Sequence, residues 1–229
     1  MNAYINNKQL NNIYKYNRIM LFEFIILIYL FINAICEPAL RKLDLDSEIT
    51  IVINGTGTQQ ILSEVTNSYY GYTEYIMPYQ ILVNGVLQNY TKKYVYNLTN
   101  QINNITMKWN SQITNCNGMF QQLPNIISID LSKFDSSKVK NFDSFLYNCK
   151  NIKSINLNNL NTSSCKIMAG MFYNLNRVET LNLSNFDTSK VTSFKSMFCY
   201  CSSIKLLDLS SFYTLRVNDT SYLFEIALH

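Results

Sequence analysis

From Ile126 to the last residue the apolar positions fall into columns. Three segments align without a gap: IDLSKFDSSKVKNFDSFLYNCKNIKS from Ile129, INLNNLNTSSCKIMAGMFYNLNRVET from Ile155 and LNLSNFDTSKVTSFKSMFCYCSSIKL from Leu181, a constant period of 26 residues. A further copy, LDLSSFYTLRVNDTSYLFEIALH, starts at Leu207. One column holds Leu131, Leu157, Leu183 and Leu209, and a second holds Phe134, Leu160, Phe186 and Phe212. Val139, Cys165, Val191 and Val217 form a third, and Phe145, Met171, Met197 and Leu223 a fourth. Ungapped columns of this kind mark a repeat architecture, in which each unit buries its apolar side only against its neighbours. Upstream, Ile113, Cys116, Met119, Phe120 and Ile126 fit the same columns and read as a degenerate first copy. The last copy stops partway with no obvious cap, a pattern expected of a fragment, a truncated product or a member of a larger assembly.

Within one unit the piece I-x-x-I-D-L-S-x-F, Ile126 to Phe134, alternates apolar and polar residues like a short strand with one buried face. DSSKV and DTSKV then supply Asp, Ser and Thr, whose side-chain oxygens suit turns and helix starts. Val191, Phe194, Met197 and Phe198 follow at i, i+3, i+6 and i+7, the spacing of one helix face. The pattern therefore predicts an α/β solenoid of strand-turn-helix repeats over residues 105–229, about four to five copies with the last incomplete. Residues 37–104 alternate in SEITIVINGTGTQQIL and YQILVNGVLQNYTKKYVYNL and contain Asn54-Gly55 and Asn84-Gly85, dipeptides of tight hairpin turns. They predict a small β-rich amino-terminal cap, with the Tyr-rich NSYYGYTEYIMPY packed in its core rather than forming an exposed aromatic patch.

The unit resembles the leucine-rich repeat: L-x-x-L-x-L-x-x-N appears as Ile126, Ile129, Leu131 and Phe134, then Ile152, Ile155, Leu157 and Leu160, then Val178, Leu181, Leu183 and Phe186. The usual Asn column is replaced by Phe and Leu, so an aromatic spine should fill that corner in place of an asparagine ladder. FDTSKV, MFYN and L-N/D-L-S-x-F make the chain similar to the BspA-type leucine-rich-repeat surface proteins over about residues 105–229. That resemblance implies a surface-attached or extracellular protein associated with adhesion and with no catalytic residues.

Residues 1–36 read as a leader. Lys8, Lys15 and Arg18 precede IMLFEFIILIYLFINAIC, Ile19 to Cys36, and the small residue Ala34 precedes EPALRK. This is the layout of a secretory signal peptide, with an uncleaved signal anchor as the alternative because the run just reaches spanning length. Only through residues 19–36 would the chain then meet a membrane. A lipoprotein signal at Cys36 is disfavoured, since Ile35 stands where a small residue is required. Either reading puts the remainder outside the cytosol, where Asn-x-Ser/Thr sites at Asn54, Asn89, Asn97, Asn104, Asn161, Asn182 and Asn218 could carry glycans.

Composition narrows the chemistry. With 229 residues, 48% of them apolar and 15% charged, the chain can bury a sizeable core. The net charge of +4 is too small to point to nucleic acid. The one histidine is His229, so no internal imidazole can serve a Ser-His-Asp or Cys-His nucleophile or a mixed Cys/His zinc site. No catalytic, metal or cofactor-binding residues are expected, and the protein is read as a non-enzyme.

Cys116, Cys149, Cys165 and Cys201 fall in apolar columns and read as buried thiols. Cys149 and Cys201 lie two copies apart, roughly 10 Å at the spacing of sheet strands, too far for a disulfide. Cys199 shares a column with Gln121, Tyr147, Tyr173 and Glu225 and is expected to be exposed, a thiol free for intermolecular pairing.

The outward positions of the strand pieces form polar columns, Asp130, Asn156, Asn182 and Asp208 beside Ser132, Asn158, Ser184 and Ser210. On a concave sheet they could hydrogen-bond a glycan or protein partner; the plainer alternative is a solvated face. A glycan on Asn182 would obstruct that same face. The resulting expectation is a secreted or cell-surface binding and adhesion module, the alternative being a structural coat component that self-associates through the ends of its stack.

Overall fold

The computed structural model describes residues 47–63, 77–88 and 95–225. The leader expected over residues 1–36 lies outside them, as does most of the Tyr-rich stretch. The strands are β1 (Ser47–Asn54), β2 (Gly57–Gln60), β3 (Gln80–Val83), β4 (Val86–Leu87), β5 (Val95–Leu98), β6 (Ile102–Trp109), β7 (Ile126–Asp130) and β8 (Ser154–Asn156). One sheet runs β4-β3-β6-β1-β7-β8, and β2 pairs separately with β5. Strict alternation places Ile49, Ile51 and Ile53 of β1 and Ile105, Met107 and Trp109 of β6 in the core. β1 is the seam. It pairs antiparallel with β6 (Ile51 opposite Ile105) and, on its other edge, antiparallel with β7 (Ile51 opposite Ile129).

Asn84-Gly85 forms the expected two-residue hairpin between β3 and β4, with both residues at positive φ (51° and 80°), as a type I′ turn requires. At Asn54-Gly55 the chain instead leaves the large sheet, and β2 goes on to pair with β5. Buried Asn103 holds the turns nearby, donating to the carbonyls of Asn100 and Gly55 and accepting from Asn84.

From residue 110 onward the chain winds in coils of 26 residues. β7 and β8 are parallel neighbours, and single parallel bridges continue the register from Asn115 to Asn141, Ile167, Ser193 and Asp219. The apolar columns lie inside: Leu131, Val139, Phe145, Met171, Val191 and Met197 are fully buried. Phe134, Leu160 and Phe186 fill the corner where an asparagine ladder is absent, and Phe186 stacks on Phe212 at 6.3 Å.

The strand-turn-helix unit is corrected by the structure, and with it the α/β class: among the described residues there is no helix. The segment expected to be helical is a run of tight turns. In the coil that starts at Phe142, the N–H groups of Phe142, Ser144, Leu146 and Asn148 donate to the carbonyls of Ile167, Ala169, Met171 and Tyr173 in the next coil, at 2.8–3.0 Å. The intervening Phe145, Tyr147 and Cys149 donate three residues back, to Phe142, Ser144 and Leu146. A helix would need every one of these N–H groups to donate four residues back along its own chain. Left-handed backbone makes the alternation permanent. Ser144 (φ 56°) and Asn148 (φ 63°) recur period by period as Gly118 and Gln122, Gly170 and Asn174, and Ser196 and Tyr200, all at positive φ. A right-handed helix cannot pass through two such residues, each costing about 1–2 kcal/mol when it is not glycine. The turns wind tightly enough that Val191, Phe194, Met197 and Phe198 still all point inward.

A second ladder uses hydroxyls. The Ser136 hydroxyl donates to the Asn161 carbonyl and accepts from the Asn161 N–H, at 2.9 and 2.8 Å. Thr162 does the same with Asp187, and Thr188 with Tyr213. All three side chains are buried, so each satisfies two backbone groups that would otherwise be left without a partner. The oxygens expected to start helices join coils instead.

Two substitutions test this account. Ser196→Gly relieves left-handed strain of up to about 1–2 kcal/mol and is expected to raise the urea midpoint, whereas Ser196→Val, β-branched at the same positive φ, lowers it. In a helix the glycine would be the destabilising change. Thr162→Val removes both bonds to Asp187 and is expected to cost about 1–3 kcal/mol in the same measurement.

Candidate functional site

The outward columns come together as drawn from the sequence, one coil apart along the stack. Asp130, Asn158, Asn182, Ser184, Asp208 and Ser210 are exposed, while Ser132 and Asn156 are half-buried. Their side chains have local duties. Asp130 Oδ1 accepts the Ser132 N–H, Asn156 Oδ1 that of Asn158, Asn182 Oδ1 that of Ser184 and Asp208 Oδ1 that of Ser210, at 2.8–3.1 Å. Each is an Asx turn, in which the carboxylate or amide replaces a backbone acceptor. Asn156 Nδ2 also donates to Asp130 Oδ1 at 3.0 Å, tying neighbouring coils across the face.

The same device recurs at the next corner, where Asp135, Asn161 and Asp187 accept from Ser137, Ser163 and Ser189. At Asp208, Asp187 and Asp130 such bonds depress the carboxylate. For Asp208 the Ser210 N–H and hydroxyl hold the pKa below the ordinary value, and for Asp187 the Ser189 hydroxyl and N–H do so. At Asp130 slight burial pulls upward and is outweighed by Ser132, Asn156 and Lys133. A carboxylate depressed on folding adds stability above the usual carboxylate range, about pH 4, and loses it as pH falls through the lowered value. The corners are therefore weakened by acid.

Asn54, Asn97, Asn104, Asn161, Asn182 and Asn218 are exposed, while Asn89 lies outside the described residues. At Asn161 and Asn182 the hydroxyls of Ser163 and Ser184 donate to the asparagine Oδ1, at 2.7 and 2.8 Å.

Cys116, Cys149, Cys165 and Cys201 are buried thiols. Burial pushes Cys149 and Cys165 up to about 12 and Cys201 to about 11, and it raises Cys116 as well. Cys149 and Cys201 donate to the carbonyls of Phe120 and Phe172 in the preceding coils, at 2.8 and 2.9 Å. The expectation of an exposed Cys199 is corrected: the residue is only 2% exposed. Its thiol ends one atom beyond Cβ, far shorter than its column mates Tyr147 and Tyr173. Those tyrosines stack on each other at 4.1 Å, and Tyr200 packs edge-on against Tyr173 at 5.3 Å. Burial and then the charge of Glu225 raise the Cys199 pKa too. Among the described residues no group of three or more His, Cys, Asp or Glu side chains is placed to hold a metal ion, and no helix is long and apolar enough to cross a membrane.

The sequence pattern left out the bridging hydroxyls and Ser63, whose N–H and hydroxyl donate to the carbonyls of Met119 and Gln121. The first had a signal, an unbroken hydroxyl column of Ser136, Thr162, Thr188 and Thr214. Ser63 had none, because it lies outside the repeat.

The family described as "Mycoplasma protein of unknown function, DUF285" matches residues 89–180 and, again, residues 145–229. The chain belongs to this family. Of its two overlapping DUF285 matches, the first takes in β5 and β6 before running onto the coils, and the second, beginning within the turn run of Phe145, lies wholly on them. No curated protein and no solved structure matches the chain.

Thiol labelling checks the burial of the cysteines. Cys116, Cys149, Cys165, Cys199 and Cys201 are expected to alkylate on the order of a hundredfold more slowly in the native protein than in guanidinium, as mapped by peptide mass. Rapid native labelling of Cys199 would return it to the surface.

Proposed function

We propose that the chain is a non-catalytic binding and adhesion module displayed outside the cytosol, which meets a protein or glycan partner through its outward polar columns. The observation that carries this reading is the regular face of Asp130, Asn156, Asn182 and Asp208, one coil apart, each side chain fixed by its own Asx turn and the first two joined by the Asn156–Asp130 bond. A face whose polar groups are fixed before the partner arrives loses little entropy on binding. It suits a partner that itself repeats, such as a glycan chain. Supporting the location are the apolar run of Ile19 to Cys36 and the exposed Asn-x-Ser/Thr positions away from the face, Asn54, Asn97, Asn104, Asn161 and Asn218, with the likeness of FDTSKV and MFYN to BspA-type surface proteins.

The test keeps the turns intact, since Asn caps an Asx turn as Asp does. Protein purified from a host that adds no N-glycans is screened on immobilised glycans and extracellular-matrix proteins, and each hit is re-measured with the Asp130→Asn/Asp208→Asn variant, whose new Asn-Leu-Ser triplets then stay bare. Affinity is expected to fall about tenfold or more, or 1.4 kcal/mol, with the thermal midpoint little changed. Binding undiminished in this variant, and in Asp130→Ala/Asn156→Ala/Asp208→Ala, removes the face from the account.

A further inference from the structure

One corner beyond the outward polar columns, two positions in each coil flank a column that points inward. Lys138 and Lys140 flank Val139, Ser164 and Lys166 flank Cys165, Lys190 and Thr192 flank Val191, and Arg216 and Asn218 flank Val217. Val139, Cys165 and Val191 are fully buried, whereas Lys138, Lys140, Lys166, Lys190 and Arg216 are exposed. The coils are tied together at this place. The N–H groups of Lys140, Lys166, Thr192 and Asn218 donate to the carbonyls of Thr114, Lys140, Lys166 and Thr192, each one coil back, at 2.8–2.9 Å. Neighbours in such a ladder lie about 4.8 Å apart, so cations from four consecutive coils form a stripe roughly 14 Å long.

Their charges are not matched within the protein. Lys108, Lys133 and Lys205 each pair with Glu48 or Glu179, but among the described residues none of the five cations of the stripe stands in an ion pair. Lys190 Nζ donates to the Ser163 carbonyl at 2.8 Å, and its charge helps to depress Asp187. The carboxylates of the adjoining corner, Asp135 and Asp187, are already engaged, accepting the N–H groups of Ser137 and Ser189. In the two columns themselves the remaining residues, Gln112, Thr114, Ser164, Thr192 and Asn218, are neutral. The outward columns one corner back hold Asp130 and Asp208 and no cation. The stack is therefore polarised around its girth.

The shape of the stripe selects its partner. Cations at regular steps along a line suit an extended chain that itself carries anions at intervals, and they draw it in from solution. A bilayer or a nucleic-acid duplex spreads its anions over a width that one or two side chains per coil do not meet. Neither column holds an aromatic residue on which the bases of a single strand would stack. A linear polysaccharide bearing sulfate or carboxylate groups needs neither width nor stacking. We infer that Lys138, Lys140, Lys166, Lys190 and Arg216 form a binding stripe for an acidic polysaccharide. This surface is distinct from the outward polar columns, and the inference does not rest on their role.

Protein from a host that adds no N-glycans, so that Asn218 within the stripe stays bare, is titrated against a fluorescent heparin oligosaccharide. Saturable binding is expected, weakening as salt is raised. Lys140→Gln/Lys166→Gln/Lys190→Gln is expected to bind about tenfold more weakly. Lys150→Gln/Lys153→Gln/Arg177→Gln removes the same charge from exposed positions elsewhere on the coils and is expected to bind as the parent does. All six positions are exposed, so circular dichroism and thermal midpoints are expected to stay unchanged. Asp130→Asn/Asp208→Asn is expected to leave heparin binding undiminished, which separates this stripe from the outward columns. Absence of saturation, or equal losses in the two triple variants, overturns the proposal. So does binding of a single-stranded oligothymidylate or of phosphatidylserine vesicles as tight as that of heparin, which would make a nucleic acid or a membrane the partner.

Discussion

The stack depends on a row of backbone N–H groups that point along it instead of along the chain. Alternate residues from Phe142 to Asn148 hand their hydrogen bonds to the next coil, and the residues between them close turns on their own coil. Both requirements are met only if the chain reverses its twist twice within the run, which is what Ser144 and Asn148 do at positive φ. The constant period follows. One inserted residue would slide each donor past its acceptor and turn the inward side chains outward, so the columns stay free of gaps.

Side chains complete what the backbone begins. Buried hydroxyls at Ser136, Thr162 and Thr188 stitch coil to coil where the chain bends, while Asp and Asn at the outer corners fold each turn onto itself. The interior alternates by pairs. Gly118 and Leu123 are succeeded by Ser144 and Cys149, then by Gly170 and Leu175, then by Ser196 and Cys201. Where leucine fills the column it offers only volume; where cysteine stands, its thiol also bonds a carbonyl of the coil before. A Cβ at Gly170 would approach Tyr147 Cδ2 to 3.3 Å, so the missing side chain there leaves room for the stacked tyrosines.

The periodicity and the core columns were legible because burial of Leu131, Phe134 and Val139 needs only their spacing, whatever the backbone does between them. The helix was misread for the same reason. Apolar residues at i, i+3, i+6 and i+7 face one way in a helix and also in a run of three-residue turns, so Val191 to Phe198 could not separate the two. The distinguishing marks were backbone marks: Gly118, Asn148, Gly170 and Asn174, residues that tolerate positive φ, sit where a helix would want alanine or leucine. The outer columns were found by position, but their capping duty was not, since an Asx turn is a local bond that any solvated Asp or Asn could also forgo. Cys199 was misplaced because its column mates are long and polar, and the depth of a thiol depends on its own length.

Ser63 gives the molecule a direction. With the Met119 and Gln121 carbonyls taken by the N–H and hydroxyl of Ser63, a residue that precedes every coil in sequence, the sheet of β1 and β6 provides a finished surface on which the coils can start. Each coil then becomes the template for the one after it. Order can spread from the amino-terminal sheet outward, the sense in which a ribosome releases the chain, and the contacts formed at each step join segments only one period apart. Losing the Ser63 bonds would leave the same coils with no preferred place to begin.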